Sequence, residues 1–525
     1  MTLPATTPNG APKVAVGSGP FPAPWIPTPL SVWKAGIGFQ PAQGERDRMK
    51  PFEQLQRRLG EVLALNQPGA TGEHVLVALP SYSVGESLLS HYADRIPALE
   101  HRYLLGLLLL NRIESCHMTF ISSAEPGCEV VEYYLSLLPA ERRESVRERL
   151  FCVTVPDSSA RSVAEKLLDR PDLLDAVRRS FAGRPAFIEP WNVTEHEVEV
   201  ALRLGAPING MDPDLWPLGY KSAGRKLFSS AGIPIPLGAE DVRTIDDVLA
   251  AVAAIKSARP DAKGVVIKHD NSGAGDGNVV IHLPGATWSR ADLRRRVEGL
   301  PTWYLQDLRL GGVVEELITG GVFSSPSMQI DLHPSGAVVV ISTHEQVLGG
   351  AESQVYMGCR FPADPSYAAD LAHHGRVVGE RLAGLGAVGR VSVDFVAARN
   401  GESWDLAALE VNLRKGGTTH PFATLRNLVP GHYEPDPGRW VASDGSTRAY
   451  RATDNLLDEE RLGRPPAEVI AAIDNAGLRF EHESGTGVVL HMLSCLAIDG
   501  RVGLTAIGTS PAHADELYQA AELAI

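Results

Sequence analysis

The sequence predicts a protein of mixed α/β and α+β class, with a parallel α/β domain leading and a small α+β domain trailing. Three observations predict it. Between residues 74 and 188, short apolar runs (74–80, 118–121, 151–155 and 186–188) alternate with helical stretches around 104–110, 164–168 and 173–181, the pattern of a parallel sheet with crossover helices. From 264 onward, alternating strands follow one another through turn signals at Pro334-Ser335-Gly336 and Asn400-Gly401, with one long helix near 367–384, as in antiparallel hairpins. Last, strands at 488–493 and 502–507 flank Asp499-Gly500, and a helix at 512–523 follows.

The bulk properties narrow the function. A chain of 525 residues with 44% hydrophobic and 21% charged residues is an ordinary globular protein of two to four domains. A net charge of -14 argues against nucleic acid or a membrane surface as partner, while local lysines remain able to hold a nucleotide. The five cysteines (Cys116, Cys128, Cys152, Cys359 and Cys495) show no CxxC pair, which suits reduced thiols in a cytoplasm. The N-terminus lacks a signal-peptide pattern, and the apolar run at 103–110 is far too short to span a bilayer. The expectation is a cytoplasmic protein.

Residues 1–43 read as a Pro/Gly-rich tail, and 47–65 as a helix with Phe52, Leu55, Leu59, Val62 and Leu63 on one face. Strand-end loops of the parallel sheet, such as 81–85, would lie along its ligand-binding edge. Ser83 there resembles a nucleophile-elbow serine, but Ser81 stands where the elbow needs glycine, so an exposed or substrate-contacting loop is preferred to a hydrolase. Thr194 and Glu197 form a capping-box pattern. After the helix 223–231, a strand ending in Lys268 runs into a loop with Gly273, Gly275 and Gly277. A strand follows that loop rather than a helix, which excludes the dinucleotide fingerprint, and no Gly-Lys pair supports a P-loop. What remains is a strand-loop-strand flap whose amides can cover phosphates. Glu315 and Glu316 interrupt the apolar strand at 313–318, where backbone and carboxylate could read an adenine edge.

The most informative stretch is 409–421. As a strand it places Glu410, Asn412 and Arg414 on one face and Leu409, Val411 and Leu413 on the buried one. Asp394, on the preceding strand, would join them if the two strands pair across Asn400-Gly401. A carboxylate pair, an amide oxygen and a guanidinium suit a hard cation bridging phosphates.

Taken in order, Lys221, Lys268, the glycine flap, residues 315–318, Asp394 and Glu410-x-Asn412 resemble the ATP-grasp superfamily of ligases. Residues 157–162, 343–350 and 409–421 look like the peptide ligases of pheganomycin-type peptide biosynthesis. The resemblance implies a pre-ATP-grasp-like α/β domain and a two-lobed ATP-grasp domain with antiparallel sheets. It divides the chain into an extension at 1–70, that α/β domain at 71–214, the ATP-grasp domain at 215–426 and a lid or specificity domain at 427–525. It further implies ATP and two Mg2+ ions, or Mn2+, with Asp394, Glu410 and Asn412 as metal ligands. Lys221, Lys268, Gly273, Gly275, Gly277, Glu315, Glu316 and Ile318 would bind nucleotide, and Arg414, Lys268 and Lys415 would act in catalysis. Glu345, Gln346, Gln354, Tyr356, Thr418, Thr419 and His420 are weaker candidates for binding a small carboxylate and an amine, amino acids or a peptide among them. The implied reaction forms an amide through an acyl phosphate, releasing ADP and phosphate, in a chain that could self-associate. A carboxylate–thiol ligase and a non-catalytic ATP-binding module are the alternatives. Helix-surface placement is the reading for His196, and a satisfied core position that for His491.

Overall fold

The computed structural model describes residues 43–83, 89, 93–272, 277–283, 289–318, 321–349 and 355–525, with side chains from residue 50. The tail, the flap residues Gly273 and Gly275, and Gln354 therefore lie outside the described residues. Strands β1 (His74–Leu79), β2 (Cys116–Ser122), β3 (Leu150–Thr154) and β4 (Ala186–Pro190) form a parallel sheet in the order β3-β2-β1-β4. Period-two alternation sends Val75, Val77, Leu79 and Ile121 into one core, and Leu76, Ala78 and Phe120 into another. Both faces of β1, β2 and β4 are covered, which is why these strands read as continuous apolar runs, whereas β3 at the sheet edge leaves Phe151 and Cys152 exposed. The predicted helix at 47–65 is broken into Gln43–Gln56 and Leu59–Leu65, with Phe52, Leu59 and Val62 still buried. Thr194 and Glu197 make the expected capping box on helix Glu195–Leu204.

A second four-stranded sheet joins β5 (Gly238–Ala239), β6 (Gly264–His269), β7 (Asn278–His282) and β8 (Gly312–Glu316), antiparallel in the order β5-β8-β6-β7. The third sheet has eleven described strands. They are β9 (Phe323–Ser324), β10 (Pro326–Leu332), β11 (Val338–Gly349), β12 (Val355–Phe361), β13 (Gly389–Asn400), β14 (Ser403–Asn412), β15 (Gly431–Glu434), β16 (Arg439–Ala442), β17 (Thr447–Leu456), β18 (Gly487–His491) and β19 (Val502–Gly508). The path runs β14-β13-β10-β11-β12-β17-β16-β15, and β19 pairs with both β17 and β18. The C-terminal strands thus extend the sheet that begins at β14.

Two local features set the site. β11 continues through the polar run 343–346, because β10 and β12 pair with it on both sides and the ladder does not depend on side-chain polarity. The β13–β14 hairpin turns at Asn400 and Gly401 (φ +62°), as expected, but carries a bulge: Asp394 pairs with Glu410 and Phe395 with Ala408. Leu409 is the extra residue, so it is only half-buried where the alternation placed it in the core. Among the described residues no helix is long and apolar enough to cross a membrane, and all five cysteines are free thiols.

β13 starts at Gly389, whose φ of +96° and approach to Gly210 leave no room for a side chain: a Cβ would sit 2.8 Å from Gly210 Cα. Gly386 shares the positive φ (+89°) with nothing within 4 Å. Gly386→Ala should therefore show only the left-handed backbone cost of about 1–2 kcal/mol. Gly389→Ala should exceed it, and a thermal unfolding scan of both variants checks the order.

Candidate functional site

β14 presents Glu410 and Asn412 side by side, and the β13 pairing sets Asp394 directly opposite Glu410. Asn412 Nδ2 contacts Asp394 Oδ2 (3.2 Å) and Glu410 Oε1 (3.3 Å), and Gln346 Nε2 donates to Asp394 Oδ1 (2.8 Å). Burial, reinforced by the Glu410 charge, raises the pKa of Asp394, while Ser327 and Arg414 pull the other way. Burial also works against Glu410, but Lys221 and Lys268 outweigh it and hold that carboxyl low. The two acids divide one unfavourable charge between them, as carboxylates in contact must. Their donor set, two carboxylates and an amide whose oxygen a half-turn would bring inward, fits a hard divalent cation.

Three cations face these acids. Lys221, at the start of helix Lys221–Ser230, reaches Ser272 O (2.8 Å), Ser272 Oγ (3.1 Å) and Glu410 Oε2 (3.3 Å). Lys268, on β6, pairs with Glu315 Oε2 at 2.5 Å. Arg414 lies over the Trp191 ring, 4.7 Å from its centroid, and donates to Lys415 O (3.0 Å). Burial lowers its pKa against the pull of Glu410 and Asp394, yet a guanidinium stays protonated at physiological pH.

Several expected roles change. Both Glu315 oxygens are taken, by Arg225 Nη1 (2.6 Å) and Lys268. Burial opposes the Glu315 charge, but Lys268 and Arg225 hold its carboxyl below the usual range, so in this fold both its oxygens face cations. Its neighbour Glu316 points the opposite way, as successive strand residues must, and binds Leu237 N (3.0 Å) and Arg259 (2.8 Å). Glu345 likewise turns from the acids and accepts from Asp364 N (3.0 Å) and the Tyr367 hydroxyl; Gln346, one residue on, faces Asp394. Lys415 leaves the acids for Glu189 Oε1 (2.7 Å) and the Pro190 carbonyl. Ile318 follows β8 and is half-buried. Gly277 has φ +79°, and a Cβ there would meet His269 Nδ1 at 2.8 Å.

Beyond β14, Thr418 O and Thr419 Oγ1 are tied to the Gln329 amide (3.2 and 2.9 Å). Tyr356 packs under Gly417, where a Cβ would lie 2.5 Å from its ring. His420 turns to Asp454 and His491, and burial pushes its pKa down to about 4 against the pull of Asp454. Ser83 donates to Glu197 Oε1 (2.5 Å), a buried cap residue; a carboxylate thus stands where a hydrolase would hold its histidine. Trp191, Asn192, Asn209, Arg390, Arg414 and Lys415 line one small cleft at the end of β4. Trp191 was detectable in principle, since it follows a parallel strand at its ligand-facing end. Arg225, Ser327 and Arg390 carried no local signal.

With Asp394 raised to about 7, a cation must displace a proton at neutral pH and below. Mg2+ affinity should fall as the pH drops through about 7, approaching tenfold per unit. Calorimetric titration in buffers of different ionisation enthalpy should show proton release that fades above that pH, and Asp394→Asn should abolish it.

Comparisons with known proteins bear on the fold and the family. The PGM1 C-terminal domain family matches residues 468–521. Over 453 residues the chain is 31% identical to the L-propargylglycine–L-glutamate ligase of Streptantibioticus cattleyicolor, covering 82% of this chain and 92% of that enzyme. The biotin carboxylase domain of Hydrogenobacter thermophilus 2-oxoglutarate carboxylase, solved with MgADP, ADP and bicarbonate, has a TM-score of 0.50 at 13% identity, covering 85% of this chain and 89% of that one. The ADP complex of N5-carboxyaminoimidazole ribonucleotide synthetase also gives 0.50, at 12% identity over 86% and 97% of the two chains. These two likenesses speak to the fold. The chain belongs to the ATP-grasp superfamily and is an ATP-dependent ligase of the peptide-ligase type.

Proposed function

We propose that the chain activates the carboxylate of an amino acid or short peptide with ATP and joins it to the amine of a second one. The observation that carries this reading is the meeting of the half-buried Asp394, Glu410, Asn412 and Arg414 with the buried Lys221 and Lys268 in one cluster. The amino-acid substrate class is supported by the ligase from Streptantibioticus cattleyicolor, whose name joins two amino acids. We assign nucleotide and metal chemistry to residues 215–426, with 71–214 framing the substrate edge and 427–525 serving as a specificity element.

Phosphoryl transfer requires mainly positioning and charge stabilisation. Magnesium, held by Asp394, Glu410 and Asn412, would neutralise the phosphate oxygens. Lys221 and Lys268 bind the phosphates from the side of the small sheet, with Gly277 at the base of the covering flap. Glu315 keeps Lys268 extended toward them, and Arg225 keeps Glu315 in place. A substrate carboxylate oxygen attacks the γ-phosphorus as the bond to ADP breaks. Arg414, stacked on Trp191, compensates the charge that gathers on the transferred group. The amine nitrogen then attacks the acyl carbon and phosphate leaves. The cleft lined by Asn192, Asn209, Arg390 and Lys415 is our site for the acid substrate, because its cations suit a carboxylate.

Hydroxylamine trapping tests the scheme. Protein given ATP, Mg2+, a panel of amino acids and short peptides, and hydroxylamine should yield ADP and one hydroxamate. Glu410→Gln should lower that rate by about 100-fold to 1,000-fold. AMP and pyrophosphate in place of ADP would overturn the acyl-phosphate route. Arg414→Lys should reduce turnover by about 100-fold with little change in ATP affinity, because a point charge does not replace a stacked, planar fork; single-turnover kinetics separates the two effects.

A further inference from the structure

Away from the acid cluster, three side chains converge where helix Thr419–Leu428 meets the C-terminal strands. His420 lies in the first turn of that helix, Asp454 near the end of β17, and His491 at the end of β18. Their ligand atoms close a triangle. His420 Nε2 lies 2.9 Å from His491 Nε2, His491 Nε2 is 3.1 Å from Asp454 Oδ1, and His420 Nε2 is 3.2 Å from the same oxygen.

Hydrogen bonds alone leave this triangle frustrated. Each Nε2 offers either one N–H or one lone pair. If both nitrogens donate to Asp454 Oδ1, two N–H groups oppose each other across 2.9 Å. If either nitrogen carries a lone pair, that lone pair faces a carboxylate oxygen. Every arrangement leaves at least one edge repulsive, whereas a cation among the three atoms attracts all of them.

We propose that His420, Asp454 and His491 form a binding site for a divalent transition-metal ion of the zinc class, separate from the magnesium site at Asp394, Glu410 and Asn412. Two imidazoles with one carboxylate favour such an ion over magnesium, which takes oxygen ligands and keeps its waters. Tetrahedral coordination with bonds of about 2.0–2.1 Å spaces ligand atoms about 3.3 Å apart, so the triangle needs to open by only a few tenths of an ångström. Outer support is also built. Arg102 holds Asp454 Oδ2 at 2.7 Å and bonds the Tyr82 hydroxyl at 2.8 Å, leaving Oδ1 to the histidines. His491 is only 1% exposed, but 12% of the His420 side chain and 22% of Asp454 reach solvent, which gives an ion a way in. The three ligands come from separate elements. The ion would pin the helix that follows residues 416–418 to the C-terminal part of the large sheet.

The test uses full-length protein stripped by a chelator, then titrated with Zn2+ in excess Mg2+. One tightly held Zn2+ per chain is expected by elemental analysis, with a rise in apparent Tm, and Co2+ in its place should absorb in the visible. His420→Ala and His491→Ala should each weaken Zn2+ by about 100-fold or more, while Glu410→Gln should leave the stoichiometry intact. Wild-type protein that retains no Zn2+, or Zn2+ lost in Glu410→Gln but kept in the histidine variants, would overturn the proposal. If the buried His491→Ala fails to fold, the more exposed His420→Ala decides.

Discussion

The repulsion between Asp394 and Glu410 is the constraint around which the site is arranged. Two half-buried carboxylates set opposite each other on paired strands do not both stay charged without help. The help arrives from three directions. Lys221 comes from a helix start, Lys268 from the small sheet through its field at Glu410, and Arg414 from the strand extension beyond β14. Charge balance therefore ties the two antiparallel sheets to one point, a stronger demand than packing alone would make. Arg225 and Glu315 belong to the same balance, since Arg225 is nearly inaccessible to solvent and exists in this fold to anchor the acid that aims Lys268.

The parallel domain enters the site through a second contact. Residues 414 and 415 cross from the large sheet to the end of β4, where Arg414 stacks on Trp191, Lys415 pairs with Glu189, and the Lys415 amide bonds Trp191 O at 3.2 Å. The edge at which parallel strands present ligand loops is thereby brought against the metal strand. The close approach of Gly389 to Gly210 makes the same connection one strand further in. A substrate bound at the β4 edge would sit beside the guanidinium that faces the acids, so the acid to be activated and the group that stabilises its activation share a wall.

Much of this was legible because strand periodicity is local. Two residues apart on β14 means one face, and that was enough to join Glu410 with Asn412; the Asn400-Gly401 turn then brought Asp394 opposite. The bulge at Leu409, opposite the step from Asp394 to Phe395, was not legible, and it cost the placement of Leu409. Adjacent acids or amides were harder still. Glu315 and Glu316, and Glu345 and Gln346, each point to opposite faces, and only the tertiary setting says which face carries phosphate and which carries a helix. The resemblance gave Lys415 a catalytic role, and no local pattern announced that its ammonium pairs with Glu189, 226 residues away in sequence. His491 read as a buried histidine, which it is, but its partners are 71 and 37 residues away in sequence. Long-range partners of that kind leave no trace in a local pattern.

The same charge argument explains why the lysines are already partnered. A buried ammonium without an anion costs several kcal/mol, and each of these two has one: Glu410 for Lys221, which also donates to two neutral Ser272 oxygens, and Glu315 for Lys268. In the proposed scheme, phosphate oxygens would share or exchange those contacts, and no bare charge has to be created beforehand. The partners also differ in kind. Glu315 is locked by Arg225 and cannot follow a departing Lys268, whereas the Ser272 carbonyl and hydroxyl belong to the loop that begins the glycine flap. In the proposed scheme, a phosphate at Lys221 would compete with its Ser272 contacts, while one at Lys268 would meet a lysine held by a fixed acid.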